Sequence, residues 1–100
     1  MIKTTLNLKT KLFNCGRVII TQGVNNLIAE NIDFSKQVIA SLKRHSNGDW
    51  GDLDAQDKKA NDDALIHGER ILSAYNGVEK IWVITEADRS STTILFPSEY

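Results

Sequence analysis

Apolar residues recur first at strand spacing and then at helical spacing along the first half of the chain. The β-branched run Arg17–Thr21 predicts a largely buried strand. Beyond it, the apolar spacing predicts a short helix that is over by Asn31, and a second helix over about Phe34–Arg44 with Asp33 as its N-cap. The apolar positions that define these two helices are Val24, Leu27, Ile28, Phe34, Val38, Ile39 and Leu42.

The longest helical pattern, about Ala55–Tyr75, predicts a third helix with Asp54 or Asp52 as its N-cap. Gly68 inside a helix costs about 1 kcal/mol relative to Ala, so we expect another element to pack closely at this position. Asn76–Gly77 is typical of a left-handed helix end and predicts where the third helix stops.

Two strands joined by a polar connection complete the pattern. Lys80–Thr85 and Thr92–Phe96 are rich in β-branched residues, and Glu86–Ser91 joins them as in a β-hairpin. The sequence therefore predicts a single α+β domain over residues 1–100, with three helices packed on a small, mainly antiparallel sheet of three or four strands and a C-terminal β-hairpin. Residues 1–12 are either a lead-in or an edge strand. The expected core residues are Phe34, Val38, Leu42, Leu65, Ile71, Leu72, Ile81, Val83 and Ile94.

The composition fits a soluble globular protein of the cytoplasm. Hydrophobic residues make up 41% of the chain and charged residues 25%, which argues against a disordered segment. No apolar run approaches the roughly 20 residues that cross a bilayer, and the N-terminus lacks the continuous apolar stretch of a signal peptide, so we expect no membrane partner. Cys15 is the single cysteine and cannot form an internal disulfide, which favours a reducing compartment.

The net charge of −1 hides an uneven distribution. Residues 1–44 carry seven Lys or Arg against two acidic residues, whereas residues 45–63 carry six Asp against two Lys. Such polarity suits electrostatic docking on a partner. The basic half could contact nucleic acid, but aromatic residues do not alternate with its cations, and the isoelectric point near 6.1 disfavours strong non-specific binding.

A loop rich in Gly and Asp, Gly48–Asp54, is the predicted binding site. Trp50 is either an exposed indole that anchors a partner or a side chain that folds back over the core. Asp49, Asp52 and Asp54 would suit a basic groove on a partner protein.

The segment that contains both histidines also suggests a metal site. Histidine and aspartate are the residue types that bind a divalent ion such as zinc. We therefore consider His45, Asp49 and His67 as ligands, with Asp52 or Asp54 as alternatives to Asp49. The spacing matches no zinc motif and no EF-hand loop. The other interpretation is that the aspartates cap the third helix and occupy its first turn.

A looser set of residues raises the question of catalysis. His45 or His67, together with Arg89, Thr92 and Tyr100, offers the residue types of a small ribonuclease, namely a base, a cation for phosphate and hydroxyl groups. The favoured interpretation of Arg89 is that it pairs with Glu86 or Asp88 of its own hairpin connection. Nucleophilic-serine, phosphate-loop and dinucleotide-binding motifs do not occur. The sequence leans toward a protein without catalytic activity.

Three distinctive stretches carry a resemblance, namely GDWGDL at residues 48–53, RILSAY at 70–75 and KIWVITEADRS at 80–90. From about Phe13 to Tyr100, the chain resembles a group of proteins of about this length that are encoded on bacterial plasmids, integrated elements and phages. They are labelled "plasmid-related protein" or "type I restriction endonuclease subunit M". A methyltransferase subunit requires an S-adenosylmethionine fold several times this long and an Asn-Pro-Pro-Phe/Tyr motif, whereas this chain contains one proline, Pro97. The resemblance therefore implies mobile-element origin and no particular activity.

The expected function follows from that origin. Small proteins of mobile elements often inhibit host defence, such as CRISPR or restriction systems, by binding a component. We therefore expect a non-enzymatic inhibitor of anti-CRISPR or anti-restriction type, whose partner is a host defence protein or ribonucleoprotein complex. The alternative is a small nuclease-like enzyme, either dependent on a metal or independent of one.

Overall fold

The computed structural model describes residues 12–100 as three α-helices, four strands and a 3₁₀ turn. The elements are β1 (Arg17–Ile20), α1 (Gln22–Glu30), α2 (Ile32–Ser46), α3 (Ala55–His67), β2 (Ile71–Tyr75), β3 (Ile81–Thr85), β4 (Ser91–Leu95) and the 3₁₀ turn Pro97–Glu99. Residues 1–11 lie outside the described part, and with them the predicted lead-in or edge strand. Among the helices of residues 12–100, none is long and apolar enough to cross a membrane.

The strands form one mixed sheet in the order β1-β4-β3-β2. Strand β3 pairs antiparallel with both β2 and β4, whereas β1 lies parallel to β4. A parallel neighbour needs a long crossover connection, and all three helices lie between β1 and β4 in sequence. The predicted α+β class, with three helices packed on a small, mainly antiparallel sheet, is confirmed, as is the β3–β4 hairpin.

Helices α1 and α2 pack on one face of the sheet because each carries an apolar stripe. Phe34 and Val38, one turn apart on α2, belong to a buried cluster with Ile81, Val83 and Ile94 of the sheet. Burial of a side chain such as Phe34 contributes about 1.5–3 kcal/mol to stability. The predicted core residues that are buried are Phe34, Val38, Ile71, Ile81, Val83 and Ile94, whereas Leu42, Leu65 and Leu72 are only half-buried.

The third helix is shorter than the sequence predicts. Helix α3 ends at His67, and Gly68 follows as its C-cap in the left-handed region at φ 70°, with its N–H donating to the Ala64 carbonyl. Ile71–Tyr75, predicted as the last turns of the helix, is instead strand β2. A short apolar run fits both the helical and the strand period, and here the left-handed glycine ends the helix first.

Two expectations attached to the longer helix are wrong for the same reason. A Cβ placed on Gly68 would meet nothing within 4 Å, so this glycine serves backbone conformation and not close packing. Asn76–Gly77 lies in the turn between β2 and β3 and does not end a helix.

The N-caps of the three helices are Thr21, Asn31 and Asp54. Asp54 caps α3 as predicted, because its carboxylate accepts a hydrogen bond from the Asp57 N–H at 2.8 Å. The prediction of Asp33 for α2 is wrong, since the Asn31 side chain accepts from the Phe34 N–H at 2.9 Å. Asp33 lies in the first turn of α2, where a negative charge faces the positive end of the helix dipole.

The outer edge of β2 is closed by a loop and a helix side chain. Ala74 donates to the Trp50 carbonyl at 3.3 Å and accepts from the Asp52 N–H at 2.7 Å. Beside it, the Asn61 amide of α3 accepts from the Leu72 N–H at 3.2 Å and donates to the Leu72 carbonyl at 2.7 Å. These groups replace a neighbouring strand, so this edge has no open ladder.

The opposite edge, β1, is open in the described part of the chain. All four β1 residues are exposed, so the prediction of a largely buried strand is wrong. Arg17 and Thr21 donate toward β4, which turns the N–H and C=O groups of Val18 and Ile20 away from the sheet. Within residues 12–100, no backbone group pairs with Val18 or Ile20 on that outer side.

We expect Asn61→Ala to lower the free energy of unfolding by about 1–3 kcal/mol, because the Leu72 N–H and C=O lose their partners in a partly buried position. Urea unfolding of both proteins measures the difference. Asn25→Ala, at an exposed position in α1, is the matched control and should leave stability unchanged or slightly raised. Equal stability of Asn61→Ala and the parent would contradict a structural role for this amide.

Candidate functional site

A chain of hydrogen bonds crosses the buried interface between α2 and the sheet. His45, fully buried on α2, contacts the Ser73 hydroxyl through Nδ1 and the Thr85 hydroxyl through Nε2, the latter at 2.8 Å. The Thr85 and Thr92 hydroxyl oxygens are 2.6 Å apart, and Thr92 donates to the Cys15 carbonyl at 2.7 Å. One imidazole thus links α2 to β2, to β3, and through the threonines to β4 and the segment that leads into β1.

The position of the proton on this imidazole follows from the last acceptor of the network, the Cys15 carbonyl. A carbonyl can only accept, so Thr92 donates to Cys15 and accepts from Thr85. Thr85 then accepts from Nε2–H of His45, and Nδ1 of His45 accepts from Ser73. Burial lowers the pKa of His45 to about 4, and the positive charge of Arg89 acts in the same direction. His45 is therefore neutral near pH 7, and its hydrogen bonds serve the fold.

Trp50 covers this network from the Gly48–Asp54 loop. Its side chain is 3% exposed, and its indole N–H donates to the Asp62 carboxylate at 2.9 Å. The indole meets the His45 ring edge-on with 5.8 Å between centroids and lies 6.2 Å from the Phe13 ring. Of the two interpretations of Trp50, the exposed anchor is wrong, and the tryptophan folds back over the core.

The aspartates of the same loop remain exposed, and each has a local partner. Asp49 pairs with the Arg44 guanidinium through two bonds of 2.7 and 3.2 Å, which holds the pKa of Asp49 below its usual range. Asp52 accepts from the Asn76 N–H at 2.8 Å, and Asp54 caps α3. A role for Asp49, Asp52 and Asp54 in binding a partner stays a prediction.

The three predicted zinc ligands do not form a site in the described part of the chain. His45 faces inward with both ring nitrogens hydrogen-bonded, Asp49 turns outward to Arg44, and His67 lies exposed at the end of α3 with its Nδ1 3.0 Å from the Asp63 carbonyl. Within residues 12–100, no three His, Cys, Asp or Glu side chains come together in a way that could hold a metal ion. Zinc binding itself stays a prediction for metal analysis.

The residues considered for catalysis lie in separate environments. His45 and Thr92 share the buried network. Arg89, with φ 61°, donates to two backbone carbonyls around the end of α3 at 2.7 and 3.2 Å and to the Glu86 carbonyl at 3.1 Å. The Tyr100 hydroxyl accepts from the Arg70 guanidinium at 2.8 Å. Arg89 therefore links α3 to the β3–β4 turn through backbone carbonyls, and the predicted pairing with the carboxylate of Glu86 or Asp88 is wrong.

Sequence reasoning missed Ser73, Thr85 and Asn61 as structural polar residues. The signal for two of them was present, because Ser73 and Thr85 lie two residues after buried Ile71 and Val83 and therefore on the same face of their strands. A hydroxyl at such a position faces the core and needs a partner there. Asn61 gave no comparable signal, since it lies among charged residues in a helix whose faces differ little in polarity.

Several apolar residues of β1 and α2 lie outside the core and are exposed. Val18, Ile19 and Ile20 are 43%, 40% and 40% exposed, and Ile32 and Ile39 of α2 are 69% and 57% exposed. Between the two elements lies a groove of about 230 Å³, which we call the β1–α2 groove. Its lining residues are Asn14, Cys15, Gly16, Val18, Leu42, Lys43 and Ser46. The groove and the open edge of β1 form one continuous candidate contact surface.

A second, larger depression of about 580 Å³ lies between α1, the β2–β3 turn and the 3₁₀ turn. Leu27, Phe96 and Pro97 contribute apolar surface, and its titratable lining residues in the described chain are Glu30, Glu79 and Lys80. Within the described chain, neither a histidine nor a cysteine lines this depression. The chain matches no protein-family model, no curated protein and no solved structure.

We expect stability to fall with acidification between about pH 6.5 and pH 4. His45 has a folded-state pKa of about 4 against an unfolded value of 6.5, so the unfolded chain takes up a proton first as the pH falls. The contribution of the neutral imidazole to the free energy of unfolding is complete above pH 6.5, and about 3 kcal/mol of that free energy is lost by pH 4. Urea unfolding across this range measures the loss. A flat profile for the parent would contradict the buried neutral state.

We expect Trp50→Ala to lower the free energy of unfolding by about 3–5 kcal/mol, because it leaves a cavity over His45 and Phe13. Trp50→Phe should cost less, since it keeps most of the apolar volume and loses only the bond to Asp62. Thermal unfolding followed by circular dichroism compares the two variants. A Trp50→Ala protein as stable as the parent would restore the interpretation of this side chain as a binding anchor.

Proposed function

We propose that the protein is a non-enzymatic inhibitor encoded by a mobile element, which blocks a bacterial defence system of CRISPR or restriction type by binding one of its components. The observation that carries the proposal is the edge of β1, which is open within residues 12–100 and exposes the apolar residues Val18, Ile19 and Ile20. Folded proteins usually protect such an edge, because it can pair with another chain. An edge left open beside an apolar groove is typical of a surface that binds a partner.

The sequence resemblance supplies the kind of partner. The motifs around Gly48–Leu53 and Lys80–Ser90 resemble proteins of plasmids and phages, and small proteins from such elements commonly act on host defence. The expected target is a defence protein or ribonucleoprotein complex in the cytoplasm. The exposed carboxylates of Asp49, Asp52 and Asp54 offer an additional charged face that would mainly steer association.

The burial of His45 weighs against the alternative of a nuclease-like enzyme. A general base must come within hydrogen-bond reach of a substrate proton, and this imidazole is fully buried with both nitrogens occupied. Its pKa of about 4 also lies far below the range in which a base works best near neutral pH. Binding therefore accounts for the arrangement better than catalysis.

The test is co-expression of the full chain with CRISPR–Cas and restriction systems in bacteria challenged by phage. We expect phage plating to recover by about tenfold or more with at least one system, and the full chain to co-purify with a component of that system. An unfolded variant such as Trp50→Ala at elevated temperature is the negative control. Failure across the panel, with no component captured, would overturn the proposal.

The same purified protein tests the enzymatic alternative. We expect no cleavage of single- or double-stranded DNA or RNA, with or without added zinc, and metal analysis measures the zinc content directly. Nucleic-acid cleavage that co-purifies with the folded full chain would establish the alternative function and displace the inhibitor proposal. If a chelator releases stoichiometric zinc and lowers the melting temperature of the protein, a metal site is established.

A further inference from the structure

We propose that the protein binds its partner by strand addition, accepting an extended segment with acidic residues along the open edge of β1. The inference rests on the proposed function and goes further by naming the surface and the chemistry of the segment. An extended segment placed along β1 would find the outward N–H and C=O groups of Val18 and Ile20. Such main-chain bonds supply affinity, and alternate side chains of the added strand supply specificity.

The β1–α2 groove gives the added strand an apolar contact on the helix side of the sheet. Val18 and Ile20 lie opposite Thr92 and Ile94 of β4, whose buried side chains face the helices. The side chains of Val18 and Ile20 therefore point to that same side, toward the groove that Leu42 also lines. An apolar side chain at every second position of the partner segment would enter this groove.

The charges around the groove select an acidic segment. Lys36 and Lys43 lie on one stripe of α2 with the exposed Ile32 and Ile39, at spacings of three and four residues. Lys43 is the charged residue among those of the described chain that line the groove, whereas Arg17 at the start of β1 places its charge on the other face of the same edge. Carboxylates that flank the apolar positions of a partner would meet these cations.

The same charges disfavour the two other candidate occupants. The sequence of residues 1–11 contains Lys3, Lys9 and Lys11 and no acidic residue, so its charge has the same sign as the groove. A second copy paired through β1 would bring a second Arg17 and a second Lys43 to the shared surface. Like charges brought together in this way cost affinity. An acidic segment from another protein is the occupant that fits the charge.

The direct probe is a synthetic nine-residue peptide that alternates Val and Thr and carries Glu at both ends. Titrated into the isotope-labelled full chain, it should slow amide exchange at Val18 and Ile20, the two N–H groups that become paired. Two matched peptides serve as controls, one with Lys at both ends and one with Pro at its centre, which removes a main-chain donor. We expect each control peptide to bind at least about tenfold more weakly than the Glu-ended peptide.

Two variants locate the contact on the protein. Val18→Lys with Ile20→Lys should reduce peptide binding about tenfold or more, because lysines on an edge strand block pairing. Val78→Lys is the matched control, since Val78 is 44% exposed in the β2–β3 turn against 43% for Val18, and it should bind as the parent does. Lys43→Glu, at an exposed helix position, should weaken the Glu-ended peptide and strengthen the Lys-ended one.

Distinct results would overturn the inference. Slow exchange at Val18 and Ile20 in the free protein would mean that the edge is already covered. If Leu6→Ser with Leu8→Ser then speeds that exchange, the chain itself covers the edge; if dilution speeds it and sedimentation shows a dimer, a second copy does. Equal binding of all three peptides would remove the case for an acidic strand.

The phage assay separates this inference from the function on which it rests. We expect Val18→Lys with Ile20→Lys to lose both inhibition and capture of the target, while Val78→Lys keeps both. Full inhibition by the β1 variant would overturn the strand-addition surface and leave the inhibitor function standing. Peptide binding at β1 by a protein that inhibits no defence system would overturn the function and leave the surface standing.

Discussion

The fold depends on a neutral imidazole held between a helix and a sheet. His45 accepts from a hydroxyl of β2 and donates to a hydroxyl of β3, and the two threonines that follow extend the contact to β4 and to the Cys15 carbonyl. In the described part of the chain, no buried side-chain nitrogen or oxygen lacks a hydrogen-bond partner. A network completed in this way fixes how α2 sits on the sheet, whereas apolar packing alone would tolerate other positions.

The remaining packing protects this polar core from water. Trp50 and Phe13 lie against the imidazole, and Arg89 lies 5.7 Å from the centre of the Phe13 ring while it binds carbonyls around the end of α3. The loop that carries Trp50 also supplies the hydrogen bonds that close the outer edge of β2. A segment rich in Gly and Asp thus covers the network and finishes the sheet on one side.

The sequence predicts this fold as far as local patterns reach. The β-branched runs located β1, β3 and β4, and the apolar stripes located α1 and α2, because each run has one period over enough residues. Ile71–Tyr75 forms a strand although its pattern predicts a helix, because five apolar-rich residues after a long helical pattern fit either period. The parallel pairing of β1 with β4 depends on contacts between distant residues, which no local pattern contains.

The candidate surface was harder to predict than the fold. Trp50 in a glycine-rich loop suggested a binding anchor, yet the loop turns inward to pair with Ala74, which carries the indole into the core. The open edge of β1 gave no sequence signal, since a β-branched run is typical of both central and edge strands. Whether a strand is buried depends on which element arrives beside it, and that is a property of the assembled sheet.

The pairing of β1 with β4 also constrains the order in which the chain folds. Residues 17–20 pair with residues 91–94, so β1 has no partner in the sheet until most of the chain has been synthesised. The β2–β3 and β3–β4 hairpins join neighbouring segments and lose little loop entropy when they form. Pairing of β1 closes the longest loop in the sheet and therefore loses the most loop entropy. During synthesis, the nascent chain therefore presents an unpaired Val-Ile-Ile segment to the chaperones and proteases of the cell.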